Sequence, residues 1–141
     1  MADEDGVQKA SAAFYAALNQ MLNGDATAMA DIWSHSPHVS AMHPVGGRDV
    51  GWSDVETTWR NVASICANGQ VELVDQLIQV AGDAAYELGV ERGGCSLGGQ
   101  QVDIEHRVTN VYRRESGAWK IVHHHTDVSP AMLDALARLQ T

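Results

Sequence analysis

From Gln101 to Asp127 two runs rich in Val, Ile, Thr, Tyr and Trp flank a short polar break containing Ser116-Gly117, a pattern that predicts a long β-hairpin. A tight turn at the break pairs the strands nearly end to end. Arg107, Thr109 and Val111 then share a face with Val122, His124 and Thr126, and His106, Val108, Asn110 and Tyr112 share the other with Trp119, Ile121, His123 and His125. Both faces carry bulky groups, so the ribbon is expected to be covered on both sides, by helices on one and by a partner subunit on the other.

The rest of the chain separates into a helical part and a strand part. Apolar residues recur at Val7, Phe14, Leu18, Met21 and Leu22 in an Ala-rich stretch that predicts a first helix, ended by Asn23-Gly24-Asp25. Asp25 is expected to cap a short second helix that buries Met29, Ile32 and Trp33. Val39 to His43 reads as a short strand stopped by Pro44 and Gly46-Gly47. A capping box of Ser53 and Glu56 is expected to open a third helix with Trp52, Val55, Trp59, Val62 and Cys66 on one side. After Asn68-Gly69 the period becomes two. Strands are expected at Val71 to Val80 and Ala84 to Glu91, then a flexible connection over the glycines from Gly93 to Gly99. Ser129-Pro130 opens a last helix with Met132, Leu133, Leu136 and Leu139 on one side. Helices first and a meander afterwards predict an α+β fold, with a curved, mostly antiparallel sheet packed on the N-terminal helices.

Composition narrows the partners. A chain of 141 residues fits one domain, 1–141, and buries roughly two-thirds of its unfolded surface. The net charge of −9, with only 9 Lys and Arg, argues against nucleic acid or an anionic membrane surface as partner. No apolar run approaches the roughly 20 residues of a membrane span, and the acidic start Met-Ala-Asp-Glu-Asp is unlike a signal peptide. A cytoplasmic location is therefore expected, with Cys66 and Cys95 as free thiols. Neither a C-x-x-C spacing, a Gly-x-Gly-x-x-Gly phosphate loop nor a Gly-x-Ser-x-Gly elbow occurs.

Asn23-Gly24-Asp25, His43-Pro44 followed by Gly-Gly-Arg, and above all Arg107 to His125 give the chain a resemblance to the nuclear-transport-factor-2-like superfamily. That superfamily includes ketosteroid isomerases, SnoaL-like polyketide cyclases and the association domain of calcium/calmodulin-dependent kinase II. The resemblance implies a cone-shaped α+β barrel, a pocket between the concave sheet and the helices, and a homodimer through the convex side. It sets His43 where the isomerases carry their catalytic Asp, Thr109 where they hold an oxyanion with a second Asp, and Tyr15 two positions from their Tyr. The fold is shared by enzymes, binding modules and assembly domains.

His43 is the first catalytic candidate, because an imidazole takes and returns a proton near neutrality; the alternative is a rim histidine bonded to backbone. Arg107, Thr109, His124 and Thr126 are expected on the concave side, where Arg107 or His124 would stabilise an oxyanion, with Tyr15 as proton donor. The same residues could form only a polar network between strands. Trp33 and Trp59, with Trp52, are expected to line an apolar pocket together with Val122, or else simply to be core. His123 and His125 with Asp127 or His106 could hold a metal, although in the resembled family such pairs support packing. The expected function is a cofactor-free acid–base enzyme, without metal, acting on a small apolar carbonyl-bearing molecule by isomerisation, cyclisation or dehydration. The alternative is a non-catalytic ligand-binding or oligomerisation module, with Tyr112, Val108, Trp119 and Ile121 anchoring the dimer.

Overall fold

The computed structural model describes residues 2–139. The elements are α1 (Ala2–Met21), α2 (Met29–Ile32), β1 (Ser40–His43), β2 (Gly46–Val50), α3 (Trp52–Ala63), β3 (Cys66–Ala81), β4 (Ala84–Leu97), β5 (Gln100–Glu115), β6 (Ala118–Thr126) and α4 (Pro130–Leu139). One six-stranded sheet runs β2-β1-β6-β5-β4-β3 and stays open; β1 lies parallel to β6, and every other pairing is antiparallel. This is the α+β architecture that the order of patterns predicts.

Acidic Asp3, Glu4 and Asp5 sit in the first turn of α1, where they complement the helix dipole. Val7, Ser11, Phe14, Leu18 and Met21, spaced by threes and fours, bury its inner side against the sheet. Helix α3 buries Val55, Trp59 and Ala63. It starts two residues earlier than the capping box requires, with Gly51 as a cap that makes no side-chain bond. Ser53 therefore lies inside the first turn, and Glu56 pairs with Arg60 at 2.6 Å. Asp25 likewise does not cap α2: its carboxylate accepts from the Thr27 amide and hydroxyl at 3.0 and 2.6 Å, closing the preceding turn. Ser129 does cap α4, its hydroxyl accepting from the Met132 amide at 3.2 Å.

The long hairpin closes where expected, with Ser116 and Gly117 at φ 51 and 82°, the paired positive values of a tight hairpin turn. The strands outside it are longer than the sequence pattern suggests. The stretch Gly93 to Leu97 belongs to β4, and only Gly98-Gly99 turns the chain. Gly93 is needed there because a Cβ would run into the Gln70 carbonyl, where β3 is irregular between Ala67 and Gln70. Gly46-Gly47, read as a stop, instead begins β2.

A bulge decides which side chains face inward. Val111 pairs with His123 but Tyr112 pairs with Ile121, so Val122 is an extra residue on β6. Beyond it the faces exchange: His124 and Thr126 face Asn110 and Val108, and not Arg107 and Thr109. Tyr112, Val108 and Ile121 are consequently buried in the core, and Trp119 is half-buried beneath Arg114, so these four are not on the outer face. The outer face carries Tyr86, 45% exposed, and Leu88, 39% exposed, opposite Val111 and Thr109. No helix among the described residues is long and apolar enough to cross a membrane.

Candidate active site

The turn at Gly98-Gly99 sets β4 against β5 so that Glu91 faces His106 and Glu87 faces Asn110. All four point inward and are buried, Glu87 at 0% and Glu91 at 3% exposure. Buried carboxylates require partners, and each has a set. His106 Nε2 lies 2.7 Å from Glu91 Oε1, and the Tyr15 hydroxyl donates to Glu91 Oε2 at 2.8 Å. Glu87 accepts from Tyr112 Oη at 2.8 Å, Asn110 Nδ2 at 3.0 Å and Gln76 Nε2 at 2.6 Å.

These bonds fix the tautomers of the histidines. Asn110 spends its amide hydrogens on Tyr15 and Glu87, at 3.1 and 3.0 Å, so its Oδ1 must accept at 2.7 Å from His124 Nδ1. His124 therefore carries its lone pair on Nε2. An ionised Glu91 can only accept, so His106 has its hydrogen on Nε2, and its buried Nδ1 has no partner. His43, the last residue of β1, places Nε2 3.0 Å from Asp49 Oδ2 on β2, which leaves Nδ1 as its lone-pair nitrogen.

Burial sets the charges. It works to raise the Glu91 carboxyl, but the His106 bond, the nearby imidazoles and the Tyr15 bond outweigh it and hold that group below the usual range. Burial and Glu91 together push the Tyr15 phenol up. Burial lowers His43 against an opposing pull from Asp49, and it lowers His124 to about 4 despite the attraction of Glu91. An unfolded histidine titrates near 6.5, so between 6.5 and 4 the unfolded chain binds a proton that folded His124 refuses. Stability is then complete above 6.5 and falls as pH drops toward 4, by up to about 3 kcal/mol at roughly 1.4 kcal/mol per unit. The depressed His43 acts in the same sense. The low Glu91 adds a further loss as pH falls below the usual carboxyl range through its own value. Urea unfolding at pH 7.0 and 4.5 checks this; equal stability at both contradicts the assignment of His124 as neutral.

The polar cluster forms one end of a cavity of about 90 Å³ walled by Leu18 and Met21 of α1, Trp59 and Val62 of α3, Ile104 of β5, and Met132 and Leu136 of α4. His43, Glu91, His106 and His124 reach it, as do Cys66 and Cys95. Trp59 is the hub: its ring centroid is 5.1 Å from that of His43 and 5.7 Å from that of His124. Such a chamber, apolar with a few convergent titratable groups, suits acid–base chemistry on a small molecule.

The family model of the SnoaL-like domain matches residues 7–131. The chain belongs to the SnoaL-like domain family. Among solved structures this SnoaL-like domain is similar to a candidate dehydratase of the NTF2-like family from Streptomyces avermitilis, with 25% identity, 92% of this chain and 98% of that one covered, and a TM-score of 0.79. It is also similar to a candidate calcium/calmodulin-dependent protein kinase type II association domain from Thiobacillus denitrificans, with 28% identity, 86% and 94% covered, and a TM-score of 0.67. An NTF2-like superfamily protein from Salmonella enterica shares the fold at 20% identity, 86% and 87% covered, and a TM-score of 0.77. A comparison with curated proteins finds no relative.

Of the residues singled out in the sequence of this SnoaL-like domain, His43, His124 and Trp59 meet at the cavity. Tyr15 stands behind Glu91 and is not in the cavity wall. Trp33 packs beneath Trp59 and Trp52, at 6.2 and 6.3 Å between ring centroids, and belongs to the core. Val122 is the bulge residue, half-buried and outside the wall. Arg107 and Thr109 face outward because of the bulge. The Arg107 side chain, 82% exposed, clasps Asp127 at 2.8 and 3.0 Å, which leaves it unable to serve as the oxyanion group. Thr126 is buried beside an outer groove that also contains Thr109 and His125, and its hydroxyl has no partner. His124 cannot stabilise an oxyanion either, since its free nitrogen is an acceptor.

His123 bonds Ser40 at 2.7 Å and Asp127 is taken by Arg107. Among the described residues no three His, Cys, Asp or Glu side chains are grouped to hold a metal. The sequence pattern does not mark Glu91, Asn110 and Asp49, and it offers His106 only as a metal ligand. The signal was the matched spacing of four between Glu87 and Glu91 and between His106 and Asn110, which becomes legible once β4 and β5 are joined through a two-glycine turn.

Proposed function

We propose that this SnoaL-like domain is an enzyme that moves protons on a small, largely apolar carbonyl- or hydroxyl-bearing molecule, with dehydration or isomerisation as the outcome. The observation that carries the reading is the convergence on one apolar cavity of two carboxylate-backed imidazoles, His43 on Asp49 and His106 on Glu91. Neutral His43, with its lone pair on Nδ1, takes a proton next to the carbonyl. His106 relays that same proton, receiving it on Nδ1 and delivering it to the new carbon in an isomerisation or to the departing hydroxyl in a dehydration, and Glu91 stabilises the imidazolium that forms in between. Trp59 Nε1, buried without a protein partner, supplies an N–H for the developing oxyanion. The similarity to the Streptomyces avermitilis protein, itself described as a candidate dehydratase, supports the reaction class.

Replacing His43 by Ala lowers turnover by about two orders of magnitude, while Arg107→Ala on the outer face leaves it unchanged. The acid limb of the rate profile lies below 6.5, where burial moves His43, and Asp49→Asn moves it lower still because the opposing pull is lost. Unaltered turnover in the His43 variant eliminates the mechanism.

A second proposal concerns assembly: two copies pair through the outer sheet face. Tyr86, Leu88 and Leu77 are exposed there, and apolar stripes of this kind mark interfaces. The likeness to a candidate association domain supports it. Leu88→Asp then gives a monomer in sedimentation velocity with the cavity intact; a dimer of unchanged strength places the interface elsewhere.

A further inference from the structure

The tautomers fixed at the cavity also constrain what it can bind. His43 Nδ1 and His124 Nε2 are both lone-pair acceptors, because Asp49 and Asn110 each hold the other ring nitrogen as the N–H. Neither of these two acceptors has a hydrogen-bond donor in the protein. Against them stands an unpartnered N–H of a wall residue, Trp59 Nε1, beside the weaker thiol donors of Cys66 and Cys95. Glu91 is already bonded by His106 and Tyr15 and offers nothing to a cation. No described residue of the wall is Lys or Arg, so an anion entering the cavity would be stripped of water beside Glu91 with no counter-charge.

We infer that the ligand is a small uncharged molecule, a single ring or short chain, that carries two or more hydroxyl groups, each donating to one of these imidazoles. The inference rests on the reading that this cavity is the reactive site, and it narrows a carbonyl-bearing substrate to a hydroxylated one. A lone ketone or ether answers Trp59 but leaves the imidazole nitrogens dry and unpaired, and a site built around hydrogen-bonding a hydroxyl discriminates strongly against analogues that lack it. The low basicity of His124 fits, since it stays an acceptor across the neutral range. The size of the cavity, about 90 Å³, limits the body of the ligand to little more than one ring.

The test is calorimetric titration of the full chain at pH 7.5 with resorcinol, catechol and cyclohexane-1,3-diol, with their mono- and dimethyl ethers, and with cyclohexane-1,3-dione and benzoate. The diols are expected to bind at least ten-fold tighter than their dimethyl ethers or the dione, the monoethers to fall between, and benzoate not to bind. His43→Phe and His124→Phe, which keep a ring and remove the acceptor, should each shrink the diol-to-ether ratio; the two variants share no bonding partner, so if one fails to fold the other still reports. Ethers or the dione binding as tightly as the diols, benzoate binding best, or no saturable binding by any of them overturns the inference. The outcome is separable from catalysis. A ten-fold ratio in a protein that turns over no hydroxylated carbonyl compound sinks the acid–base reading and keeps the ligand class, whereas turnover lost in His43→Ala with a ratio of one does the reverse.

Discussion

Glu91→Gln is expected to lower turnover by about three orders of magnitude or more while the protein stays folded. The change is nearly isosteric, and Gln can still accept from the Tyr15 hydroxyl, which now donates to Glu91 at 2.8 Å. What it removes is the acceptor-only character of the group beneath His106. A carboxylate forces the hydrogen onto His106 Nε2 and stabilises the positive ring when His106 takes a proton. An amide can turn its NH₂ toward Nε2, which moves the lone pair there and leaves Nδ1 protonated from the start. The wrong tautomer of a carboxylate-held catalytic histidine costs about 10⁴ in the serine-protease triad, so a factor of about 10³ is a conservative expectation for a site in which His43 still functions. Tyr15→Phe removes one bond from the same carboxylate and leaves the tautomer alone, so it should cost about ten-fold. Ring-nitrogen chemical shifts of His106 in both variants check the cause. A normal rate in Glu91→Gln, or a Tyr15→Phe variant as poor as Glu91→Gln, removes His106 from the chemistry.

How far the sequence leads depends on the range of the contacts that decide each feature. The hairpin turn at Ser116-Gly117, the end of α1 at Gly24 and the stripe of α3 through Val55 and Trp59 are set by neighbours within a few residues, and they stand where the pattern puts them, although the helix ends at Ala63 and Cys66, expected on its stripe, opens β3. The inward direction of β5 and β6 depends on one extra residue at Val122, which nothing in the apolar pattern marks, and so Arg107 and Thr109 exchange places with His106 and Asn110. On β4 the pattern points the wrong way altogether. Tyr86 and Leu88 look like core and are exposed, while Glu87 and Glu91 look like surface and are buried. The polar residues can be inside only because Tyr15, Tyr112, Asn110, His106 and Gln76 arrive from distant parts of the chain to satisfy them. His43 was legible because it needs only its own strand and the adjoining β2 to be placed.

The stability counterpart of Glu91 is Glu87, which lies off the cavity and bonds only protein. Glu87→Ala is expected to destabilise the fold by about 4 kcal/mol. Three donors converge on its carboxylate, from Tyr112, Asn110 and Gln76. Gln76 lies on the exposed part of β3 and can turn to water, and Asn110 keeps its bond to Tyr15. Tyr112 cannot reach water, being wholly buried between β4 and β6, and only the buried Ser11 hydroxyl stands beside its own. A buried donor left dry costs about 1–3 kcal/mol, and the space vacated by the side chain adds a cavity cost. For a chain of this length the sum lowers the melting temperature by roughly 10 °C or more. Glu87→Gln keeps an acceptor of the same reach and should lose less than half as much. Pairing Glu87→Ala with Tyr112→Phe tests the account further, because removing the stranded hydroxyl should restore part of the loss, giving a double variant more stable than the two single effects predict. Strict additivity would mean that the hydroxyl of Tyr112 finds another partner, and that Glu87 is held inside by something other than its donors.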